Sequence, residues 1–415
     1  MLEQYKQTLR ERFFRYVQVP SESDPRTGVV PSTESQREFA RMLRDELETL
    51  GLQDIQLDEH AILTARLPAT VEGVPTVGWV AHIDTVPVNL SPNVHPQLIH
   101  YTGGDVLLNA EKNISIRLSE HPELSAYVGD DIIFTDGTSV LGADNKAAVT
   151  NVMTMLEILV RERRPHGEIR VAFVPDEEIG LCGSKLLDLE DRFKVDFAYT
   201  IDCCELGEII YETFNAASVD IRIEGVTAHP MSAKGVLVNP LLVATDIINC
   251  FPRLETPEET DEKDGYWWFT DCEANASTCR LGMNIRDFDR RRYEERKAAV
   301  LRNVEIIRRR HPRAKIEVTV TDVYANIIDS VGEDRWPIDL LYTAADRLQI
   351  RTITKAMRGG TDGSALSAKG LLTPNYFTGA HNFHSYAEFL PMESFAKSLA
   401  MSLTLVELIA DSRKE

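Results

Sequence analysis

The stretch that decides the fold is VAFVPDEEIG, residues 171–180. Its apolar, β-branched first half is typical of a buried strand, which the proline then ends. Three consecutive acids follow, Asp176, Glu177 and Glu178. Buried carboxylates are costly unless something compensates their charge, and a metal ion would do so. A solvated acidic turn is the alternative, and this stretch alone does not decide between the two.

Two further strand patterns end in residue types that bind metals. A nearly continuous apolar strand at 75–80 leads into AHIDTVP, where His82 and Asp84 face the same side of an extended chain. Residues 197–201 predict another buried strand, which ends at Asp202. Helical patterns alternate with these strands, so we predict an α/β fold with a mainly parallel sheet. The ligand-type residues then all lie at carboxyl ends of strands, where such sheets place their sites.

Two more candidates lie beside predicted elements. Asp144, in TDGTSVLGADNKAAV, precedes a long helical pattern from Lys146, so capping that helix is the simplest explanation of its position. His384 lies in GAHNFHSYAE, after the strand pattern at 375–378. Residues 91–130 are too long for an ordinary loop, and we predict an irregular insertion near the site.

Taken together, the candidates form a set with a recognisable chemistry. The candidates are two imidazoles and three carboxylates: His82, Asp144, Glu178, Asp202 and His384. Such a ligand set suits zinc, with one carboxylate bridging two ions. Two ions of such a pair share a water whose pKa falls toward neutrality. Glu177, left over from the ligand set, is then the expected general base, and it can return the proton to a leaving amine.

The order of strand and helix patterns changes at residue 214. Strand and helix patterns follow in the order β-α-β-β-α-β, which predicts a ferredoxin-like sandwich inserted as one unit. We therefore expect a discontinuous catalytic domain, residues 1–213 and 326–415. The inserted α+β domain, residues 214–325, is expected to serve as a lid and for dimerisation.

Composition restricts the partners and the compartment. The chain has 415 residues and a formal net charge of −20, which disfavours nucleic acid and anionic membranes. No apolar run approaches the roughly 20 residues that span a bilayer, and the charged amphipathic N-terminus is not a signal peptide. The six cysteines form no C-x-x-C pair, so we expect reduced thiols in a cytoplasmic protein.

Six motifs carry a resemblance to a known family. HIDTVP, GADNKAA, PDEEIG, TIDCCELGE, RGGTDG and the final HxxxE from His384 to Glu388 resemble those of the dinuclear zinc peptidases of the M20 family. The resemblance extends over essentially the whole chain. Within the family it is strongest to the tripeptide aminopeptidases, which share the insertion at 91–130. It implies a dimeric aminopeptidase that removes the N-terminal residue of tripeptides. Its partners would then be small peptide substrates and a second copy of the chain.

The resemblance also implies a role for each site residue. One zinc ion would be held by His82, Asp144 and Asp202, and the other by Asp144, Glu178 and His384. Asp84 would orient His82, and Glu177 would act as the general base on the zinc-bridging water. The family further implies a cis peptide after the bridging acid, between Asp144 and Asn145. Co²⁺ or Mn²⁺ could substitute for zinc.

Two residues of the inserted domain complete the implied site. His229, in TAHP, resembles the histidine that stabilises the oxyanion in a partner subunit's site, and Arg286, in NIRDFD, resembles the arginine that binds the peptide's carboxylate. The alternatives are a capping histidine in a turn and a surface ion pair with Asp287. The related enzymes have small glycines where this chain has Cys203–Cys204, and a glycine in place of Met231. The bulkier side chains of this chain lie beside Asp202 and His229 in the sequence, so we expect them to affect substrate size and turnover.

Two other functions stay open from the sequence. The first is another amidase of the same family, such as a dipeptidase, an N-acyl-amino-acid deacylase or a carboxypeptidase. The second is a catalytically silent zinc-binding or interaction protein, against which the intact Glu177 argues.

Overall fold

The protein consists of two compact units. The structure is a computed structural model that describes residues 3–332 and 334–412, so both ends of the predicted catalytic domain lie outside the described residues. Unit 1 extends from the first described residue to Tyr211 and also contains Val331–Lys355 and the described residues from Thr361 onward. Unit 2 comprises Glu212–Ser330 and Ala356–Gly360.

The strands are numbered in chain order. Their bounds are β1 (Gln53–Leu57), β2 (Leu63–Leu67), β3 (Val77–His82), β4 (Gln97–His100), β5 (Val106–Asn109), β6 (Ile114–Ile116), β7 (Asp131–Phe134), β8 (Ile169–Val174), β9 (Phe197–Cys203), β10 (Glu208–Ile210), β11 (Asn215–Glu224), β12 (Tyr266–Ala274), β13 (Thr278–Asp287), β14 (Lys315–Tyr324), β15 (Ile353–Thr354), β16 (Asn375–Phe377) and β17 (Phe389–Pro391).

The helices are numbered in the same way. The α-helices are α1 (Glu3–Val17), α2 (Glu34–Leu50), α3 (Ala143–Glu162), α4 (Cys182–Leu186), α5 (Pro240–Ile248), α6 (Arg290–Arg310), α7 (Trp336–Arg347), α8 (Asp362–Ala368) and α9 (Met392–Asp411). Short 3-10 helices cover Pro122–Tyr127, Pro230–Ser232, Pro257–Glu259 and Ile327–Ser330.

Unit 1 is built on one mixed sheet with the order β1-β2-β8-β3-β9-β16-β10-β15. The central strands β8, β3, β9 and β16 run parallel, whereas β1, β2 and β10 are antiparallel to their neighbours on the central side. The sheet is therefore mixed, with the predicted parallel arrangement at its centre. Because β3 lies between β8 and β9, the carboxyl ends of the three strands that carry candidate residues meet at one edge.

Helix α3 is the buried helix of unit 1. It packs against β3 and β9 on one side and against α1 and α9 on the other, and its residues from Ala143 to Leu159 are all buried. Its polar positions are paired, for example Asn151, whose side chain donates to Ser398 Oγ at 2.8 Å and accepts from Ser402 Oγ at 2.7 Å. Because the helix is covered on all sides, its side chains must be apolar or hydrogen-bonded to other protein groups. This explains why apolar residues and paired polar residues occur around its whole circumference.

The start of α3 corrects one expectation. Asp144 does not cap the helix: the N-cap position is Gly142, and no side chain caps the helix there. Asp144 and Asn145 have non-helical backbone angles, so the regular turns begin after them. The peptide between these two residues is cis, as the resemblance implied. The carboxylate of Asp144 contacts His82 and His384 instead of capping the helix.

The insertion at 91–130 is ordered, and the prediction of an irregular segment was wrong. Strand β4 joins β7 and β17 in a three-stranded sheet, and β5 pairs with β6. An apolar cluster joins the insertion to β7, β17 and the residues before β17, and its buried members are Tyr101, Val106, Leu108, Ile116, Leu124, Ile132, Phe134, Ala387 and Phe389. Strands of three or four residues are too short to show a clear alternation of apolar and polar positions, so sequence periodicity does not reveal their pairing.

Unit 2 has the element order β11-α5-β12-β13-α6-β14, which is the predicted β-α-β-β-α-β. Its antiparallel sheet has the order β12-β13-β11-β14, and α5 and α6 pack on one face. Alternate residues of β11 and β13 form the apolar core with both helices. This is the arrangement of a ferredoxin-like sandwich. None of the helices among the described residues of either unit is long and apolar enough to cross a membrane.

Candidate metal centre

The predicted ligands come together at the sheet edge of unit 1. His82 ends β3, Asp202 lies near the end of β9, and Glu178 follows β8 after the proline. Asp144 comes from the kinked start of α3, and His384 from the loop between β16 and β17. Three of these side chains thus lie at or just after strand ends, as predicted. The start of α3 and the loop before β17 supply the other two.

Asp144 lies at the centre of the cluster. Its Oδ1 is 3.0 Å from Nε2 of His82, and its Oδ2 is 3.0 Å from Nε2 of His384. His384 Nε2 also lies 3.1 Å from Oε1 of Glu178, and His82 Nε2 lies 3.9 Å from Oδ1 of Asp202. One carboxylate therefore faces both imidazoles, each through a separate oxygen, as a bridging ligand between two cations does.

Three of these side chains could hold a cation in common. His82, Asp144 and Glu178 each offer a ligand atom, and these atoms all lie within 4.8 Å of one another. Oε1 of Glu178 is buried and makes no hydrogen bond of good geometry among the described residues. A buried carboxylate oxygen whose one nearby donor, Nε2 of His384, makes no well-aligned hydrogen bond is the kind of atom that a cation satisfies.

The electrostatics of the cluster show an excess of negative charge. Burial would raise the pKa of Asp144, but hydrogen bonds from His384 and His82 hold it below its usual value. The other carboxyls lack such compensation: burial and the charge of Asp144 raise the pKa of Glu178 to about 7 and raise that of Asp202 well above its usual range. Two divalent cations would neutralise this charge, so the residues present fit a two-metal site.

The carboxylates of the cluster raise the pKa values of its two histidines. The contacts of its Nε2 with the carboxylate acceptors of Asp144 and Glu178 raise the pKa of His384 to about 10. Burial disfavours the charged form of His82, yet its contacts with Asp144 and Asp84 raise its pKa well above the usual value. The carboxylates thus favour the charged form of both imidazoles, and a metal ion would compete with the proton for their nitrogens.

Asp84 does more than the sequence predicted. Its Oδ1 lies 3.3 Å from Nδ1 of His82, although the closer acceptor for that nitrogen is the main-chain carbonyl of Asp84 at 3.1 Å. Its carboxylate oxygens also accept the backbone N–H groups of Glu177 at 3.0 Å and Glu178 at 3.2 Å. Asp84 is fully buried. It therefore fixes both the imidazole and the backbone of the acid pair.

Glu177 has the environment of a proton carrier. It lies between Asp176 and Glu178 in the turn after β8, and its main-chain carbonyl accepts from Gly180 and Leu181. Burial raises the pKa of Glu177 well above its usual value; the positive charge of His82 opposes that rise and the negative charge of Asp202 adds to it. A carboxyl with a pKa moved toward neutrality can accept and return a proton near neutral pH.

Asp202 is oriented by two asparagines. The Asn145 side chain donates to Oδ1 of Asp202 at 2.9 Å and to the carbonyl of Ile201 at 2.8 Å. The backbone N–H of Asp202 donates to the Asn375 side chain at 2.7 Å. The next residue, Cys203, is almost fully buried, whereas Cys204 is partly exposed. The thiol of Cys203 thus fills the core.

Two carboxylates near the site have roles that the sequence did not predict. Glu388 is buried and accepts the backbone N–H groups of Leu141 at 2.7 Å, Gly142 at 2.8 Å and Asp144 at 3.1 Å. Asp362 has a buried Oδ1 without a hydrogen-bond partner among the described residues, and burial raises its pKa to about 6. The HxxxE and TDG motifs were visible in the sequence, but not these contacts.

His229 and Arg286 belong to unit 2, whereas all the other predicted site residues belong to unit 1. Nδ1 of His229 accepts the backbone N–H of Met231 at 3.2 Å, so the ring caps a 3-10 helix and is exposed. Arg286 Nη1 donates to the carbonyls of Ala217 and Ile285, and its guanidinium lies 5.5 Å from the ring centroid of Tyr324.

The predicted alternative for Arg286, an ion pair with Asp287, is wrong. Asp287 instead pairs with Arg292 at 3.3 Å and Arg296 at 2.9 Å. Successive residues of a strand point to opposite faces, and Asp287 is fully buried toward those two arginines of α6.

Comparison with known proteins agrees with this geometry. The model of peptidase family M20/M25/M40 matches residues 142–408. A peptidase T-like protein of Yersinia pestis is 57% identical over 397 residues, which cover 96% of each chain. Among solved structures, aminopeptidase PepT from Bacillus cereus ATCC 10987 has a TM-score of 0.76 at 23% identity, and a tripeptidase from Staphylococcus aureus subsp. aureus Mu50 has 0.76 at 22% identity. Both alignments cover 98% of this chain and 99% of the other, and they establish the fold.

Proposed function

This chain belongs to peptidase family M20/M25/M40 and is a metallopeptidase, and on that premise we propose that it is a two-zinc aminopeptidase that removes the N-terminal residue of tripeptides. The observation that carries the proposal is the acid pair after β8, beside a carboxylate that faces two imidazoles. The substrate class is supported by the motifs that resemble tripeptide aminopeptidases and by the fold shared with the Bacillus aminopeptidase and the Staphylococcus tripeptidase.

We propose that the ligands divide as the resemblance implies. His82, Asp144 and Asp202 would hold one ion, and Asp144, Glu178 and His384 the other. Imidazole and carboxylate ligands suit Zn²⁺, and Co²⁺ or Mn²⁺ could replace it. When bound, the ions supply Lewis acidity that polarises the scissile carbonyl and acidifies the attacking water.

The residues of the chain carry the proton. Glu177 takes the proton of the attacking water and delivers it to the leaving amine, so one carboxyl serves as base and then as acid. Asp84 keeps this carboxyl in place through the N–H groups of Glu177 and Glu178. It also keeps Nδ1 of His82 engaged, which leaves Nε2 as the ligand atom.

Unit 2 would contribute the substrate contacts. Because Nδ1 of His229 accepts a backbone hydrogen bond, the neutral ring carries its proton on Nε2 and can donate it to a developing oxyanion. Arg286 would bind the far carboxylate of the tripeptide through the guanidinium nitrogens that are not used on main-chain carbonyls.

The assembly and compartment are part of the same proposal. Unit 2 exposes several apolar side chains within the stretch 231–242, including Met231, Val236, Leu237, Leu241 and Leu242. Exposed apolar groups of this kind indicate a protein interface, and we propose a homodimer formed through this surface. All six cysteines are free, which is consistent with a cytoplasmic location.

Hydrolysis assays on small peptides with added Zn²⁺ test the function. We expect cleavage of free tripeptides, slower cleavage of dipeptides and tetrapeptides, and none of N-acetylated tripeptides. Efficient cleavage of the acetylated peptides would show a deacylase or carboxypeptidase instead. Cleavage of none of them, with zinc bound, would favour a silent zinc-binding protein.

The Glu177→Ala variant identifies the base in the same assay. Because Glu177 is proposed as a proton carrier and not as a ligand, this variant should keep both metals and lose several orders of magnitude in kcat. Metal analysis accompanies the kinetics. A near-normal rate would exclude the assignment, and loss of metal would make Glu177 a ligand.

A further inference from the structure

The first acid of the acidic run, Asp176, has no part in the chemistry described so far. It is fully buried and receives donors from a segment about 140 residues away in the chain. The Ser32 backbone N–H donates to Oδ2 at 2.7 Å, and the Ser32 hydroxyl donates to Oδ1 at 2.5 Å. The Gln36 amide also donates to Oδ1 at 2.6 Å. Both partners lie at the beginning of α2 or just before it.

The backbone of Asp176 is fixed as well. Its N–H donates to Oε1 of Gln36 at 3.0 Å, and its carbonyl accepts the N–H of Cys182 at 3.0 Å. Its φ of 56° lies in the left-handed region, which non-glycine residues rarely adopt. Such a conformation persists only where surrounding contacts determine it. The contacts with Gln36 and Ser32 supply that determination.

The turn that carries the acid pair is thus held from two sides. On one side, Asp84 accepts the N–H groups of Glu177 and Glu178. On the other side, Ser32 and Gln36 hold the residue that immediately precedes the pair. A shift of residue 176 would move the carboxyl groups of both following residues.

We propose that Asp176, Ser32 and Gln36 form a positioning clamp, the Asp176 clamp, that sets the proton carrier Glu177 and the metal-ligand candidate Glu178 in place. Asp176 is a positioning residue in this inference, because it acts through its neighbours. The inference rests on the proposed function for its kinetic part. Its second consequence, metal affinity, requires no substrate.

The pattern of donors explains why this position requires an acid. The Ser32 hydroxyl oxygen accepts the N–H of Asp24 at 2.9 Å, so its own proton is available for Asp176. The Gln36 amide nitrogen also points at the carboxylate, while its oxygen is used by the backbone of residue 176. An asparagine at 176 would set one NH₂ group against these donors.

A reciprocal exchange tests the clamp. Asp176→Asn sets donor against donor, and Gln36→Glu sets carboxylate against carboxylate. In the double variant, the amide and the carboxylate have changed places, and the pair is complementary again. We expect each single variant to lose about 10- to 100-fold in zinc affinity, measured by competition with a chelator, and a similar factor in kcat with little change in KM. The double variant should recover most of both.

Control variants separate positioning from folding. Glu38→Gln alters an exposed residue of the same helix and should change neither quantity. If Asp176→Asn does not fold, Ser32→Ala removes the hydroxyl that donates to Asp176 and accepts from Asp24, keeps the Ser32 backbone donor, and should give a smaller loss of the same kind. A melting temperature lowered without loss of zinc affinity or kcat would reduce Asp176 to a purely structural residue.

The exchange also has outcomes that overturn the clamp. A fold loss in the double variant equal to the product of the two single fold losses would show that the two residues are not coupled, and unchanged single variants would show that the contact does not matter. If the wild type cleaves no peptide, zinc affinity still decides the clamp, while the proposed function fails separately.

Discussion

At the scale of single residues, the centre depends on carboxylates that bind no substrate. Glu388 is the clearest example, since both of its oxygens accept N–H groups from the segment that carries Asp144. Burial and the charge of Asp144 raise the pKa of Glu388 to about 8, although the three hydrogen bonds favour its charged form. A cation that neutralises Asp144 would remove the part of that rise that comes from the charge of Asp144.

The Glu388→Gln variant tests this role. A glutamine can keep an oxygen toward Leu141 and Gly142, but its NH₂ group then faces the N–H of Asp144. We expect the zinc affinity to fall about 10- to 100-fold, as for other partners of ligand-bearing groups. Competition with a chelator measures the affinity, and Glu407→Gln on the exposed side of α9 is the control. Unchanged affinity would contradict the role.

The sequence identified the ligand candidates and, through the resemblance, Asp84 as the partner of His82, but not the other contacts that hold the ligands and the acid pair in place. His82, Glu178 and Asp202 could be proposed because each follows or ends a strand pattern, and strands in parallel order bring their ends together. Asp176, Asp84 and Glu388 instead bind backbone N–H groups or remote side chains. Partners up to 247 residues away leave no periodic signal in the sequence, so only the fold reveals them.

A buried histidine gives unit 1 a dependence on pH. His166 is almost fully buried, and its Nδ1 donates to the carbonyl of Gly167 at 2.8 Å. Burial lowers its pKa below the ordinary value of 6.5. The unfolded chain therefore takes up a proton near pH 6.5 that the folded chain does not, and the free energy of unfolding falls as the pH drops through that value.

The variant His166→Asn should reduce this dependence. Its amide can replace the Nδ1–H donor, but it does not titrate. Chemical denaturation at pH 7.5 and 5.5 should show a smaller loss of unfolding free energy in the variant than in the wild type. His95→Asn, at an exposed position, serves as control. An equal loss in both proteins would exclude His166 as a source of the dependence.

At the scale of elements, the long helices and most core strands agree with the sequence patterns, whereas the insertion does not. The helical pattern from Lys146 corresponds to the regular part of α3, which follows the non-helical residues Asp144 and Asn145. The insertion was predicted to be irregular because its strands have only three or four residues each. Such strands are stabilised by β7, β17 and a local apolar cluster, which are tertiary contacts.

The Leu124→Ala variant tests whether that cluster holds the insertion together. Leu124 is fully buried in it, and removing the side chain should destabilise the insertion by about 2–5 kcal/mol. We expect faster tryptic cleavage after the exposed residues Lys112 and Arg117. Leu107→Ala, which truncates an exposed leucine in the neighbouring strand β5, should leave the cleavage rate unchanged. Equal rates for both variants would contradict a packed insertion.

At the scale of the whole molecule, the sequence predicted the inserted unit but not its exact residue boundaries. Unit 2 begins at Glu212 and also includes the returning segment Ala356–Gly360, which was predicted to belong to the catalytic domain. Arg358 explains why: its guanidinium lies 5.3 Å from the ring centroid of Phe214 and donates to the carbonyls of Glu262 and Asp264. These contacts join residues about 100 positions apart in the chain, and no local pattern indicates them.

The division into two units leads to a prediction about the proposed dimer. His229 lies in unit 2, and every predicted metal ligand lies in unit 1. We expect His229 to act on the metal centre of the partner subunit, as the resemblance implies. Two inactive variants, His229→Ala and Glu177→Ala, test this when their subunits are mixed by co-expression. In a mixed dimer, the site with an intact Glu177 receives an intact His229 from its partner, and the other site lacks both.

Random mixing makes about half of the dimers mixed, each with one working site, so about a quarter of the wild-type activity should return. Each variant alone, expressed at the same level, provides the baseline. Two affinity tags, one on each variant, allow the mixed dimers to be isolated before the assay. If His229 acts within its own chain, every site in the mixed dimer stays defective. No recovery of activity in purified mixed dimers would therefore refute the action between subunits, while leaving the metal chemistry of unit 1 unaffected.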